Sequence, residues 1–451
     1  MKLNKKKFKV INRNYISNFF QVITINYFNT LFMIFILLAS LLFSYLYIER
    51  FDYIIDEYNN LVFKKIPFGH GPLIHNLIFN STYEGVFLDR IYIIQKLPVL
   101  PILLYLLSLI SHNFYFIIIA KNLLLFSVLI FFLSKYLNSN KIDIKKKYIY
   151  LIAYLIPYNM FVTLNFEYAD SVLAILLPSL FLILLSKDKN KYLFSSLILF
   201  FLYLTKNSTL FLCFIIPIYS IFFEKKIEYR SQKYLILIGP ILATIIWASF
   251  SYLKTDRLAY GSNMLSVNSL GMDIALNKSF SNYFPDKSLD LMHHKINHPK
   301  NITNEWELSD YYKDKNYEYL SKKENLIDYL STFPKKILFI FFHIKKDSSL
   351  PDIDGNFDNS VRYSLIPNKI FLNISIILST ILIIQQCKIK KFKIYDDFMF
   401  LLFLASYLLP FILAWSTSKH LVPVAIISYI YILHKYFLMK KKISHYNKKL
   451  F

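Results

Sequence analysis

Apolar residues in this chain come in long unbroken runs, not in one-sided stripes. Runs near 27–48, 114–134, 148–166, 169–186, 192–205, 208–223, 234–252, 368–386, 398–414 and 420–437 are bounded by charged or small polar residues. A helix needs about 20 apolar residues to cross the hydrocarbon core of a bilayer. The pattern predicts an all-α polytopic membrane protein with about ten spans. The fifth and sixth runs are short and share the break "TKNST", which predicts a tight helical hairpin. The run "LPVLPILLYLLSLI" (97–110) is too short to cross and carries Pro98 and Pro101, so it reads as a helix lying in or dipping into the outer interface. "ILFIFFH" (337–343) reads as a second interfacial helix, within a polar segment whose stretch "LMHHKINHPKNITNEWELSDYYKDKN" reads as loop. Three regions follow. Residues 1–252 form a transmembrane module with a first outer segment at 49–113, residues 253–367 a large outer region, and residues 368–451 the closing transmembrane helices.

Charge orients these spans. Segments 1–26, 135–147, 187–191, 224–233, 388–397 and 435–451 hold 28 Lys/Arg against 6 Asp/Glu, a net +22 of the chain's +23. Short basic loops stay on the cytoplasmic side. Treating 97–110 as interfacial puts every one of these segments inside, both termini included. The basic surplus is then a topology signal and not a nucleic-acid surface. Residues 1–26 read as the basic flank of an uncleaved signal anchor, and the compartment expected is a bacterial inner (cell) membrane.

Composition narrows the chemistry. Of 451 residues 55% are hydrophobic, with mean hydropathy +0.40. Seven glycines argue against a Gly-rich phosphate loop, and Cys213 and Cys387 both fall in or at the end of apolar runs, where neither reads as a disulfide or metal ligand. No Cys/His spacing suits zinc, and no metal ligand is assigned.

The outer ends of the spans collect acids and bases. Asp56 and Glu57 follow the first span; Lys96 precedes the interfacial helix; Lys121 lies inside the second span; Glu167 and Asp170 occupy the turn "NFEYADS"; Lys206 sits in "LTKNST"; Arg257 follows the seventh span; Lys419 and His420 open the tenth. Ionisable groups at this depth are costly and mark functional sites. Lys and Arg suit a phosphate group, and a carboxylate suits a proton from a hydroxyl nucleophile. Each has a structural alternative: a solvated loop for the acidic pair, a helix N-cap for Asp170, interface anchoring for Lys96 and Lys419, a carbonyl or Asp170 as partner for Lys121.

In order along the chain, "IIDEYNNLVFKKIPFGHGP", "QKLPVLPILLYLLSLI", "IIIAKNLLLF", "FEYADSVLAILL", "LYLTKNSTLF" and "SKHLVPVAIISYI" resemble landmarks of the GT-C superfamily of polyprenyl-phosphate-sugar glycosyltransferases. The likeness is to the branch of protein O-mannosyltransferases and lipid A aminoarabinose transferases. It departs from that pattern at the separated prolines of "KLPVLP", at Gln95 and at Ser171. The resemblance implies transfer of a sugar, with inversion, from a polyprenyl-phosphate donor to a hydroxyl or phosphate on a glycan, lipid or protein acceptor. It implies Asp56 as general base, Glu57 as its helper and Asp170 as a second acid. It places Lys96 and Arg257 on the lipid phosphate, with Lys206, Lys419, His420 and Lys121 as further binders. No cofactor is expected beyond the donor itself; a divalent metal stays open. The competing readings are a polysaccharide polymerase or ligase and a lipid-linked substrate transporter or flippase.

Overall fold

The computed structural model of the chain describes residues 30–46, 48, 54–62, 71–87, 90–92, 97–142, 159, 161–163, 166, 168–224, 231–258, 305–342, 359–388, 394–413 and 421–450. Lys96, Glu167, Lys419, His420 and most of the expected span at 148–166 lie outside these residues.

The described architecture is mostly helical. In chain order it comprises α1 (Thr30–Leu46), α2 (Gly71–Asn80), α3 (Val99–Ser108), α4 (Phe114–Ser139), α5 (Ala169–Leu185), α6 (Lys191–Tyr203), α7 (Leu210–Phe223), α8 (Ile238–Thr255), α9 (Glu305–Leu320), α10 (Lys323–Phe342), α11 (Asn359–Lys388), α12 (Met399–Leu413) and α13 (Leu421–Leu450). The all-α expectation holds at the level of fold class; a short two-stranded antiparallel ribbon, β1 (Gly85–Phe87) with β2 (Arg90–Tyr92), accompanies the helices.

Each expected span that the described residues cover carries a helix, and among the described residues four stretches are both long and apolar enough to cross a membrane: Phe114–Ser139, Gln232–Thr255, Tyr395–Leu413 and Val422–Met439. Among the described residues the other apolar stretches run 10–17 residues, including Asn373–Lys388 at the end of the 30-residue α11.

The sequence of α5 explains its place at the centre. "ADSVLAILLPSLFLILL" is apolar on every side, and all seventeen residues are buried. A helix without a polar face has no side to give to water. It packs against α4, α6 and α13, and α4 supplies a matching row of buried Ile, Leu and Phe. Rings of Phe400 and Phe403 on α12 meet Phe181 of α5. Close approach is needed where α8 crosses α6. Gly239 N donates to Ser196 Oγ at 2.7 Å, and a Cβ on Gly239 would fall 1.8 Å from the Ser196 carbonyl oxygen.

Four loop or helix expectations meet the structure directly. The "TKNST" break is a turn closing with a 3₁₀ segment at Asn207–Thr209, where Thr209 Oγ1 donates to the Leu202 and Lys206 carbonyls and so fastens α6 to α7. Helix α3 is a ten-residue apolar helix, in keeping with a segment too short to span. By contrast, "ILFIFFH" is not a separate interfacial helix: residues 337–342 are the end of the 20-residue α10. Residues 305–316, read as loop, are helical in α9. Their polar composition hid a helix that is tied down by tertiary contacts, described below.

Candidate functional site

The helix ends fix two faces of the bundle. One carries the starts of α4 and α5 and the ends of α6, α8 and α12; most of the described candidates lie there. Helix α5 begins after extended Tyr168, so Asp170 falls in the first helical turn and is not the cap. Its carboxylate turns instead to Lys206 at the end of α6, Oδ1 to Nζ 2.6 Å. The side chains are 6% and 24% exposed, so the acid is sealed and the base keeps an outlet. The Lys206 ammonium also lies 5.4 Å from the ring centroid of Phe411 on α12.

One turn back from Phe411, Tyr407 packs edge-on to it. Tyr407 is 1% exposed and its hydroxyl has no hydrogen-bond partner among the described residues. Among the described residues Asn207 Oδ1 and Ser208 Oγ, in the turn against which α12 packs, are likewise buried without a partner. Sequence reasoning missed these three. The only signal available was their place beside Lys206 and on the last turns of a span.

Asp56 belongs to a small hairpin. Ile55 and Leu61 form an antiparallel bridge, Val62 N donates to the Ile54 carbonyl and Asn59 adopts φ 58°, a left-handed geometry that Asn tolerates. Asp56 Oδ1 accepts from the backbone N–H of Tyr58 at 2.9 Å and of Asn60 at 2.7 Å. The hairpin rests on the start of α4: Leu61 N donates to the His112 carbonyl, Phe114 N to the Asn59 carbonyl, and His75 Nδ1 meets the Val62 carbonyl at 3.1 Å. Adjacent acids therefore separate in role. Asp56 organises the turn and Glu57 stands exposed at its tip.

Lys121 is fully buried. Its ammonium donates to the Val162 carbonyl at 3.1 Å, the Phe166 carbonyl at 3.3 Å and Ser171 Oγ at 3.4 Å, and lies over the Phe166 ring. Three acceptors match its three donors. Lys121 thus braces α4 against the segment that leads into α5, one residue from Asp170. Arg257 follows the left-handed Asp256 that ends α8, pairs with Asp310 of α9 at 2.7 Å and stacks over Trp306. Residue 99 docks α3 at the end of α6 through Val99 N to the Leu204 carbonyl, 3.2 Å. The structure thus joins Asp170 to Lys206, sets Asp56 and Lys121 on neighbouring elements, and turns Arg257 to the α9 side.

The opposite face holds a second ionisable cluster that sequence reasoning assigned to topology alone. Lys191 and Glu224 pair at 2.6 Å with 1% and 4% exposure, and Tyr192 donates to the same carboxylate at 3.1 Å. The π-helical turn Ile394–Phe398 before α12 sends Tyr395 to this pair and Asp396 and Asp397 to α13. There Tyr431 donates to Asp397 at 2.6 Å, Lys435 pairs with Asp397, and His434 Nδ1 meets the Tyr136 hydroxyl at 2.7 Å. The clue was the few acids embedded in otherwise basic segments. These charges are paired across α4, α6, α7, α12 and α13, the arrangement of a structural clasp.

No protein-family model matches the chain, and no curated protein or solved structure is significantly similar to it. Among the described residues no three His, Cys, Asp or Glu side chains group closely enough to hold a metal ion.

Proposed function

We propose that this chain is a multi-pass membrane glycosyltransferase of the GT-C type. It moves a sugar from a polyprenyl-phosphate donor to an acceptor hydroxyl or phosphate on the outer face of a bacterial cell membrane, with both termini cytoplasmic and about ten spans. The observation that carries this reading is the Asp170–Lys206 pair, sealed on its acidic side and open on its basic side, on the same face of the helical bundle as the hairpin holding Asp56. A base that keeps an outlet can turn to the phosphate of an incoming lipid, where a charge-assisted hydrogen bond is strong. A carboxylate fixed by two backbone N–H groups is preorganised to take a proton from the acceptor.

In this mechanism Asp56 removes the acceptor proton as its oxygen attacks the anomeric carbon. The polyprenyl phosphate leaves from the opposite side, and its charge falls to Lys206, with Lys96 and Arg257 supporting it. Glu57 orients the acceptor from the tip of the hairpin. Much of the acceleration comes from alignment and charge placement.

The test compares lipid extracts by mass spectrometry from cells expressing wild type or Asp56→Asn without another copy of the protein. The expected result is accumulation of a polyprenyl-phosphate sugar with the variant. Matching profiles from two folded proteins in an active pathway would remove Asp56 as the base and move the transporter and polymerase readings ahead.

A further inference from the structure

Buried polar atoms almost always find a partner, because one left without costs the desolvation it has already undergone. Three such orphans belong to one packed pair of elements: Asn207 Oδ1 and Ser208 Oγ in the turn that follows Lys206, and Tyr407 Oη on α12, which packs on that turn and whose Phe411, one turn on from Tyr407, lies under the Lys206 ammonium. Packing alone does not require them. Tyr407→Phe and Ser208→Ala would fill nearly the same space and leave no orphan hydroxyl. An arrangement of two hydroxyls, one amide oxygen and one ammonium has the chemistry to hold a group that is both hydroxylated and anionic.

We infer that the Lys206–Thr209 turn and Tyr407 form a binding site for a sugar-phosphate headgroup, in which Lys206 turns from Asp170 to the phosphate. This site deepens the glycosyltransferase reading and rests on it for the lipid-linked source of the headgroup. The two hydroxyls and the amide oxygen meet the headgroup's oxygens and hydroxyls, and Lys206 supplies the charge. Lys206 is suited to the exchange because it alone of the ion pair has an outlet. Phe411, under the ammonium, offers it an apolar flank in either position. No bond is made or broken in this step; the site binds and orients.

The test uses the full chain in phosphatidylcholine nanodiscs with two probes, undecaprenyl phosphate in the bilayer and glucose 1-phosphate in solution. Wild type, Lys206→Ala, Tyr407→Phe and Ser208→Ala are compared for affinity and for thermal stability without ligand. Undecaprenyl phosphate tests the anion part of the site, and glucose 1-phosphate adds the hydroxylated part. The expected result is binding by wild type, a loss of about tenfold for Tyr407→Phe or Ser208→Ala on at least one probe, and a larger loss for Lys206→Ala. The two hydroxyl-free variants should melt at or above the wild-type temperature, which a purely structural role for these groups would not give. If wild type binds the lipid phosphate but both hydroxyl-free variants bind both probes as well as wild type does, the headgroup site is overturned and the glycosyltransferase reading stands. If glucose 1-phosphate binds with the expected sensitivity and the lipid phosphate does not, the site stands and the lipid-donor reading falls. Binding of neither probe by folded wild type overturns both.

Discussion

Lys206 Nζ and Asp170 Oδ1 lie 2.6 Å apart although 36 residues separate them, and the contact closes the end of α6 onto the first turn of α5. Removing one member leaves the other charge in a site built for two. Asp170→Asn should therefore lower stability by about 1–3 kcal/mol, less than the 3–5 kcal/mol of a fully buried broken pair because Lys206 reaches solvent. Asp170→Asn with Lys206→Met should recover most of that loss without recovering transfer. Unfolding in detergent with a double-mutant cycle gives the coupling directly. Additive stability losses would show that the pair is not coupled.

Asp56 offers a cleaner separation of fold from chemistry. Its Oδ1 accepts two backbone N–H groups, and the amide oxygen of Asn can accept the same two. Asp56→Asn should keep the two backbone bonds of the hairpin and remove the base, so activity falls by about 100-fold or more, while loss of the 3.4 Å contact from Asn60 Nδ2 to Oδ2 costs no more than about 1 kcal/mol of stability. Asp56→Ala should lose both turn bonds and about 1–2 kcal/mol as well. Equal activity in wild type and Asp56→Asn would reduce Asp56 to a turn residue.

The helices were legible because uninterrupted apolar runs leave few choices in a membrane setting. Apolarity marks where α5 and α12 lie, yet the partners of a lysine are set across 41 to 50 residues, as for Lys121 with Val162, Phe166 and Ser171, and no local pattern encodes that. Helix α9 escaped notice because it is polar around its circumference; its attachment through Arg257 to Asp310 is again non-local. Charge placement picks out Asp56 and Asp170, whereas Glu224, Asp396 and Asp397 stand inside basic segments whose net charge conceals their pairing.

That second cluster predicts the reverse phenotype. Glu224→Gln strands Lys191 at a site 1% exposed to solvent, and should cost about 3 kcal/mol or more. Any protein that still folds should keep its lipid-binding affinity, because the affected groups lie on the far face from Lys206. Folded yield and undecaprenyl phosphate affinity measured together decide the matter. A folded variant with weakened lipid binding would mean that the clasp also shapes the site.

Tyr329 on α10 donates its hydroxyl to the Leu413 carbonyl at the end of α12, and burial pushes its pKa up to about 12 from 10. A group whose folded pKa is raised contributes its stability below the unfolded value and loses it as pH climbs toward the folded one. The link between α10 and α12 should therefore weaken between about pH 10 and 12, and Tyr329→Phe should remove the part of the alkaline destabilisation that arises in that window. An unchanged alkaline profile in the variant would assign that loss to other groups.

Gly239 tests the packing of the bundle itself. The Ser196 carbonyl oxygen stands 1.8 Å from where a Cβ would sit, a distance no side-chain rotation can relieve because both groups are backbone-fixed. Gly239→Ala must push α8 away from α6, and with it strain the Gly239 N to Ser196 Oγ bond. Overpacking of this kind costs about 1–3 kcal/mol, and more where the backbone must move. In a bilayer, where apolar contact with lipid replaces much of the hydrophobic drive, close backbone approach is a main source of helix association. The expected outcome is a lower melting temperature in detergent and a lower folded yield. Ser196→Gly with Gly239→Ala should not rescue it, since the clash is with the carbonyl and not the side chain. Rescue by that pair would place the close contact on the serine side chain instead.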